Sequence, residues 1–558
     1  MPRLGGPRRA ACLALGLLAL WGAAAAAFED RTPRVHALVG ARVVTGPGKV
    51  LPKATVVVRD GVISAVGDVQ PPADARLWDL RGRTVYAGLV EPFFDPEAGK
   101  KDSPPPRGRR GADEPARPAP TDASGVRHPN PKVRAEERMA EKLSLDTKTL
   151  EDLRRAGFVT AHLVPSQGIF RGQSAVVALR PGVPREQILR ADAAQIVAFA
   201  TGGWEERNRT EYPASLMGAV ALVRQTFLDA RWAREARKQY DAAQAGMERP
   251  QTNLAIDALE AALPPSGSMP VWMLTADVLG TLRCAALVQE FDLHAVLVGN
   301  GEEYQQLEQV RATGLPVVLP LQYPAPPAFA DADEALDVEL DVLRHWNAAP
   351  SNAARLHAAG IPFAFTSHDL EKRSDFRARV ARAIENGLPE PAALAACTTV
   401  PARFVGMEDQ LGSIERGKLA SFTITDGDLF AEKTHVLEVW VNGDRYEVQE
   451  EKPTDFADLA GNWRVLAGSG EKPVKEWRLE LVGNEWTLRG RLLDADGREV
   501  PLQTLRWQQG ELLLQSSAGE TLRLRPEKKV LRGTWKQPDG QENALEAKRP
   551  EPSQEGGF

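Results

Sequence analysis

Four apolar runs recur in the second half of the chain: PVWML at 270–274, HAVLVG at 294–299, LPVVLPL at 315–321 and IPFAFTS at 361–367. Helical stretches such as EEYQQLEQVRATG at 302–314 lie between them. Apolar runs without polar alternation are typical of parallel strands buried on both faces, and strands that alternate with helices are typical of an α/β fold. The pattern predicts a parallel sheet covered by helices, either open or closed into a barrel.

The same alternation extends toward the N-terminus, to about residue 131. Asp146 can cap a helix that runs to Arg155, and FVTAHLV at 158–164 follows as a buried strand. A long amphipathic helix is predicted from about Ala214 to Ala242. The units on either side of residue 200 give no clean strand count, so eight strands fit the pattern without being required by it.

Short β-type runs flank this region on both sides. On the N-terminal side, runs within 35–82 are joined by turn signals such as Asp60-Gly61, which predicts a small antiparallel sheet. A further strand, Thr84 to Val90, leads into EPFFD at 91–95. Lys100 to Gly125 is rich in Pro, Arg and Gly and has no apolar face to bury, so we expect a disordered insertion over 97–127.

The chain returns to β-type runs after residue 411 and becomes a β-meander after Pro453. Period-two alternation and turn signals such as Asp496-Gly497 predict an up-and-down barrel, lipocalin-like, or a sandwich. We expect tryptophans to fill its interior, and a ligand cavity lined by the same residues is the alternative. These tryptophans are Trp463, Trp477, Trp486, Trp507 and Trp535.

Length and composition limit the possible functions. The 558 residues are 43% hydrophobic and 26% charged, with a formal net charge of -6, so the chain is long enough for several domains and does not resemble a basic nucleic-acid-binding protein. Cys12, Cys284 and Cys397 are too few and too scattered for a disulfide framework or a Cys-rich zinc site. After removal of the N-terminal segment, Cys284 and Cys397 are expected as buried free thiols, with a disulfide between them as the alternative.

The first residues resemble a secretory signal peptide. Arginines precede an apolar run from Ala10 to Ala27, which ends in small residues before Phe28. We expect cleavage after Ala27 and export to the periplasm or the extracellular space; an uncleaved anchor helix is the alternative. No later segment reaches membrane-spanning length, so no membrane association is expected after cleavage.

Three segments together resemble the amidohydrolase superfamily, in particular imidazolonepropionase and dihydroorotase. GRTVYAGLVEPFFD at 82–95 is similar to the first barrel strand of that family, and IPFAFTSHD at 361–369 is similar to the last. The exit segment at 392–430 keeps three family elements: Thr398 to Ala402, Leu411 to Ile414 and Gly417 to Ala420.

The resemblance implies an α/β fold with a (β/α)8 TIM-type barrel and a small β-sandwich built from both flanks of the barrel. The active site would lie at the rim formed by the carboxyl ends of the strands. The expected organisation is a signal peptide at 1–27, a small β-domain at 28–83 and 411–450, the barrel at 84–410, and a C-terminal β-domain at 453–548.

Family members hydrolyse amide and related C–N bonds with water bound to one or two divalent metal ions, such as zinc. The family's ligands are two histidines after strand one, a lysine or glutamate in strand four, histidines after strands five and six, and an aspartate after strand eight. Here the first pair aligns with Phe93 and Asp95, and phenylalanine cannot bind a metal. Between Lys148 and Lys372 the only lysine is Lys238, in a basic helix.

The later ligand positions depart from the family pattern as well. If PVWML is the fifth strand, it is followed by Thr275 and Asp277 and not by a histidine. If HAVLVG is the sixth, His294 stands at its start, the wrong end for the rim. Asp369 or its neighbour matches the family aspartate, which also takes the proton from the attacking water. The resemblance therefore implies catalytic roles for Asp369 and His368, although the cofactor, zinc or another divalent metal if the family chemistry survives, is not determined.

Other polar residues could rebuild a site at the rim. Candidates for substrate binding are Asp95, His162, Arg171 and Asp277, and weak candidates for metal binding are Glu91, Asp95, His162, His368 and Asp369. His162 could equally be a core histidine, and Glu91 and Asp95 could simply bind loop amides. The glycine-rich GIFRGQSA at 168–175, with Arg171 and Ser174, could bind an anion, but we expect a tight rim loop.

Two functions from different classes remain open. One is an exported hydrolase of amides, cyclic amides or dipeptide-like substrates, which the family resemblance implies. The other is a catalytically inactive barrel that binds a small ligand or a partner protein, which the changed ligand positions favour. The expected partner is a small amide or peptide-like molecule, and a homo-oligomer is left open.

Overall fold

The computed structural model describes residues 34–97, 126–199, 212–243, 246–327, 338–448, 461–468, 475–482, 488–508, 511–527, 530–539 and 541–549. The chain divides into an N-terminal unit, Met1–Val448, and a C-terminal unit, Gln449–Phe558. Within the described ranges, no helix is both long enough and apolar enough to cross a membrane. The expected signal peptide, residues 98–125 of the insertion expected over 97–127, Trp486 and the side chain of Trp507 lie outside the described residues.

The flanks of the barrel form one eight-stranded sheet in the order β18-β17-β16-β5-β1-β2-β3, with β4 paired to β1. Its strands are β1 Val35–Gly46, β2 Lys49–Arg59, β3 Val62–Gly67, β4 Arg76–Asp79, β5 Thr84–Ala87, β16 Phe422–Thr425, β17 Val436–Val441 and β18 Asp444–Glu447. β1 pairs with β4 and β5 in parallel and with β2 in antiparallel fashion, so the sheet is mixed, and the prediction of a purely antiparallel sheet is wrong.

Strand β5 also corrects a domain boundary. The sequence assigned residues from 84 onward to the barrel, but β5 pairs with β1 and β16. Gly88 follows, and the first barrel strand begins at Leu89. A Cβ at position 88 would lie 2.4 Å from both γ-methyl groups of Val159. A glycine is therefore required where the chain passes from the small sheet into the barrel.

The barrel strands lie in two sheets, ordered β10-β9-β7-β6 and β15-β14-β13-β12-β11-β8. Their bounds are β6 Leu89–Phe94, β7 Phe158–Leu163, β8 Phe170–Gln173, β9 Ala175–Ala178, β10 Ile188–Arg190, β11 Gln195–Ala198, β12 Val271–Leu274, β13 Ala295–Val298, β14 Val317–Pro320 and β15 Phe363–Thr366. Only Ser174 separates β8 from β9, so the two form a single strand that joins the sheets. At the other side Thr366 Oγ1 donates to Phe93 O at 3.1 Å, which joins β15 to β6.

Seven of these barrel strands, β6, β7 and β11 to β15, run in one direction, whereas β8 and β9 run antiparallel to β11 and β7 beside them. The prediction that GIFRGQSA is a rim loop is therefore wrong, because residues 170–173 are a barrel strand. The loop interpretation was based on its glycines. Gly172 has φ of 114° and lies against Glu137 O, where a Cβ would lie only 2.4 Å away, so this glycine permits a close strand contact.

Helices cover the outside of the strands. The α-helices of the N-terminal unit are Thr147–Arg155, Pro184–Gln187, Leu216–Ala242, Leu254–Ala258, Val278–Phe291, Leu307–Thr313, Leu340–Ala348, Asn352–Ala358, Phe376–Glu385, Glu390–Cys397 and Thr399–Phe404. Asp146 caps the first as predicted, with Oδ1 accepting from Thr149 N at 2.6 Å. The predicted helix over 214–242 is observed at Leu216–Ala242. Cys284 and Cys397 are buried free thiols, as expected.

The C-terminal unit is a nine-stranded antiparallel sheet that nearly closes into a barrel. Its order is β22-β21-β20-β19-β27-β26-β25-β24-β23. The strands are β19 Gly461–Ala467, β20 Lys475–Val482, β21 Arg489–Asp494, β22 Glu499–Val500, β23 Leu502–Gln508, β24 Glu511–Ser516, β25 Thr521–Glu527, β26 Val530–Lys536 and β27 Glu542–Lys548. Trp463, Trp477 and Trp535 pack among leucines in its core, as the sequence predicted.

Candidate functional site

The position that aligns with the first family histidine is part of an apolar core. Phe93 is fully buried and packs with Trp272, Val298 and Val318, which come from neighbouring barrel strands. Successive residues of a strand face opposite sides, so Phe93 and Trp272 face the interior of the barrel while Phe94 and Met273 face the helices. The interior of the barrel is therefore filled with apolar side chains at this level.

A buried carboxyl group lies beside Phe93 and bridges the first and last barrel strands. Glu91 Oε1 lies 2.5 Å from Thr366 Oγ1 and accepts from Phe93 N at 3.1 Å, and Oε2 accepts from Ser367 N at 2.8 Å. Burial raises the pKa of Glu91, and the hydrogen bonds from Ser367, Thr366 and Phe93 oppose that shift only in part. Glu91 thus holds the barrel closed with a carboxyl group that favours its protonated form.

His162 is a core histidine, which was the alternative to a ligand role. Its Nδ1 lies 2.8 Å from Pro92 O and its Nε2 lies 2.6 Å from Ser174 Oγ. Because a carbonyl oxygen only accepts, Nδ1 carries the proton of the neutral ring. Burial lowers the pKa of His162 to about 4, and the ring packs edge-on against Trp272 at 4.4 Å between centroids. Both ring nitrogens are occupied, so the imidazole has no lone pair free for a ligand.

The ends of strands five and six offer no imidazole. Thr275 Oγ1 donates to Val298 O at 2.9 Å, which joins the ends of β12 and β13. Asp277 Oδ1 accepts from Gly280 N at 2.5 Å and caps the helix Val278–Phe291, and Arg283 lies 3.7 Å from the same oxygen. His294 is exposed and directly precedes β13, at the end away from the rim, as the sequence indicated. The carboxylate of Asp277 therefore has a structural role at this rim position.

The remaining polar groups lie close together at the carboxyl ends of β6 and β15 and at the beginning of β8. His368 Nε2 lies 3.3 Å from Asp369 Oδ1, and the His368 ring packs edge-on against Phe93 at 4.8 Å. Burial lowers the pKa of His368 and outweighs the opposite effect of the Asp369 and Asp95 carboxylates. Burial also lowers the pKa of Arg171, against the influence of Asp95. We call Asp95, Arg171, His368 and Asp369, with Arg373 beside them, the rim cluster.

The rim cluster differs from the site proposed from the sequence in two ways. It includes Arg373, whose guanidinium carbon lies 4.8 Å from the Phe94 ring centroid and which also lowers the pKa of His368. It excludes Glu91 and His162, whose polar atoms form hydrogen bonds with other barrel residues below the cluster. The sequence analysis also missed Thr366, Ser367 and Ser174 as partners of these groups. The run FAFTS does end in two hydroxyl residues beside His368, which was the available signal.

These residues do not fit the divalent metal that the resemblance implies. The side chains of Phe93 and Leu274 have no electron pair that could bind a metal. The hydroxyl of Thr275 donates to Val298 O, and both ring nitrogens of His162 are hydrogen-bonded. Among the described residues, no group of three His, Cys, Asp or Glu side chains could hold a metal ion. The segments 98–125, 200–211 and 328–337 contain carboxylates but neither histidine nor cysteine. The described strand ends therefore bring one imidazole, that of His368, to the rim cluster, which is fewer than the family's centre uses.

Comparisons with known proteins identify the class of barrel. Residues 295–445 match a family model described as an amidohydrolase family, which confirms the resemblance seen in the sequence. The solved structure of an amidohydrolase from Thermotoga maritima MSB8 is 22% identical, with a TM-score of 0.57, and the match covers 74% of this chain and 99% of that chain. That likeness shows a common fold, a TIM-type barrel.

A second solved structure is a prolidase complexed with N-methylphosphonate-L-proline. It is 16% identical, with a TM-score of 0.41, and the match covers 74% of this chain and 100% of that chain. A comparison with curated proteins gave no match.

Proposed function

We propose that this chain is a ligand-binding protein built on an amidohydrolase-type barrel that does not carry out metal-assisted hydrolysis. The observation that carries the proposal is the position of Phe93, which is fully buried in an apolar cluster where the family places a metal-binding imidazole. Replacing one ligand by an aromatic ring removes the coordination needed to activate water. The residues at the ends of β12 and β13, where the family has metal-binding histidines, carry no imidazole, and this supports the same proposal.

The rim cluster supports binding of a small ligand that carries a carboxylate. Arg171 Nε is buried and has no hydrogen-bond partner among the described residues. Its guanidinium is always charged and offers further donors, and a carboxylate is its preferred bidentate partner. His368 is favoured in its neutral form and can donate or accept one hydrogen bond, which suits an adjacent amide group. A peptide-like molecule with a free carboxylate combines both features.

Hydrolysis of an amide bond is the second candidate, supported by the match of residues 295–445 to an amidohydrolase model. The rim cluster offers one arrangement for it without a metal. His368, with its lowered pKa, could accept a proton from water, and Asp369 at 3.3 Å could orient the ring. This candidate predicts turnover that persists in chelator and disappears in His368→Ala.

The deciding experiment measures metal content and turnover of the purified full chain. We expect less than stoichiometric divalent metal, unchanged in His368→Ala, and no hydrolysis of cyclic amides, N-acyl amino acids or dipeptides. We also expect N-acetyl amino acids to bind in calorimetry, and Arg171→Met to weaken binding about tenfold or more, as for the loss of a charged hydrogen bond.

The exposed Arg185→Met is the matched control and is expected to bind like the wild type. Methyl amides of the same amino acids test the need for the carboxylate. Chelator-sensitive turnover, or stoichiometric zinc that His368→Ala removes, would contradict the proposal in favour of a metal hydrolase. Equal binding by both arginine variants would show that the ligand lies elsewhere.

We also propose that the chain is exported, supported by the basic start, the apolar run and the small residues that precede Phe28. The measurement is the intact mass of the protein recovered from a secretion-competent host. The expected mature chain begins at Phe28, because Ala25 to Ala27 provide the small side chains that the peptidase site requires. A variant with Ala25 and Ala27 changed to Leu should retain its N-terminal segment, and an unprocessed wild-type chain would overturn the proposal.

A further inference from the structure

One end of the C-terminal sheet brings together two tryptophans and an ion pair. Trp477 of β20 and Trp535 of β26 are 1% and 3% exposed, and their rings pack edge to face with centroids 5.1 Å apart. Lys475 Nζ lies 5.0 Å and 5.3 Å from the two ring centroids and 2.6 Å from Glu520 Oε1. Glu520 lies in the turn between β24 and β25, so two strands and one turn contribute to this cluster.

Both indole N–H groups of the pair are buried without a hydrogen-bond partner among the described residues. A buried tryptophan normally finds an acceptor, as Trp440 does in Glu438, although Trp272 and Trp346 of the N-terminal unit also lack one among the described residues. In an edge-to-face pair, at most one N–H can point at the other ring, and such a contact is weak. At least one donor of the Trp477–Trp535 pair therefore lacks an acceptor from the chain.

The surroundings indicate what kind of acceptor fits. Lys475 and Glu520 neutralise each other, and an indole is an uncharged donor, so the site as a whole is electrically neutral. The remaining contacts come from the leucine-rich core, which includes Leu479, Leu514 and Leu522. A group that is neutral, apolar in most of its surface and equipped with a carbonyl oxygen matches this combination.

We propose that this end of the C-terminal sheet is a binding site for a small uncharged ligand with an amide or ester carbonyl next to an apolar group. The carbonyl oxygen accepts from the buried indole N–H groups, and the apolar group packs on the tryptophans and leucines. The ammonium of Lys475 is held beside both rings by Glu520, so it stays next to the bound ligand. This site is independent of the rim cluster, so either proposal can fail without the other.

The test observes the indole N–H resonances of the full chain, labelled with ¹⁵N on tryptophan. Trp477→Phe and Trp535→Phe assign the two signals, and the probe is N-acetyl-L-leucine methylamide. Both signals are expected to move downfield and to saturate together as the probe is added. Each single variant should weaken binding about tenfold, which corresponds to one buried hydrogen bond, while its partner's signal still moves.

Two controls make the result decisive. The signal of Trp78, whose N–H donates to His36, should not move, and Trp232→Phe, which alters a tryptophan that is 70% exposed, should bind the probe like the wild type. Signals of Trp477 and Trp535 that do not respond to the probe would overturn the proposal. So would signals that only exchange with solvent, because ordered water would then be the acceptor.

Discussion

Glu91→Ala should lower the free energy of unfolding of the N-terminal unit by about 3 kcal/mol or more. The variant leaves Ser367 N and Phe93 N buried without an acceptor, and each buried unpaired donor costs about 1 to 3 kcal/mol. It also removes a packed side chain from between β6 and β15, whose only observed links in the described structure pass through Thr366 and Ser367. Urea unfolding of the full chain, followed by a barrel-specific signal, measures the change.

Glu91→Gln is the control that keeps the shape and one acceptor oxygen. Because the folded pKa of Glu91 is raised, its contribution is fully present below the unfolded value near 4.5 and is lost as pH rises toward the folded value. The wild type should therefore lose stability relative to Glu91→Gln as pH rises above about 4.5. A constant difference between the two across that range would show that Glu91 is ionised throughout, and a harmless Glu91→Ala would contradict its role in closing the barrel.

The second large effect is acid destabilisation through His162. Its pKa falls from 6.5 to about 4 on folding, so the unfolded chain binds a proton that the folded chain excludes between these values. Stability is therefore present above pH 6.5 and is lost as pH falls toward 4. At about 1.4 kcal/mol per pKa unit, the loss is about 3 kcal/mol.

His162→Gln tests this contribution because glutamine can donate to Pro92 O and accept from Ser174 without titrating. The variant should be less stable than the wild type at pH 7, yet its urea midpoint should fall less between pH 6.5 and 4. His294→Gln changes an exposed histidine and should keep the wild-type acid dependence. If His162→Gln and His294→Gln give the same acid dependence, the imidazole of His162 is not held neutral by the fold.

The regular part of the fold could be predicted because it depends on local patterns. PVWML, HAVLVG, LPVVLPL and IPFAFTS are continuous apolar runs, and they correspond to β12, β13, β14 and β15. The antiparallel strand at 170–178 could not be predicted, because three of its first five residues are Arg, Gly and Gln, which interrupt the apolar pattern of a barrel strand. The mixed pairing of β1 could not be predicted either, since the direction of pairing is not encoded in alternation.

The sequence could predict the candidate site only where the residues of the site are neighbours in the chain. His368 and Asp369 adjoin at the end of β15, and the structure does bring them together. By contrast, the contact of Glu91 with Thr366 spans most of the barrel, and no spacing rule indicates it. The role of Asp277 could not be predicted from the sequence either, because an aspartate that precedes a helix can cap the helix or bind a ligand at the rim.

The reversed direction of the strand at 170–178 has a consequence for how this barrel can acquire new specificity. In the parallel strands, the residue at the rim is the last of its strand. A change in the loop that follows such a strand therefore changes the opening of the barrel. Here Phe170 pairs with Val197 at the rim, so Arg171 reaches the mouth from the beginning of its strand. Length changes at 165–168 would reshape ligand selection, whereas those at 179–187 would alter the opposite face and leave selection unchanged.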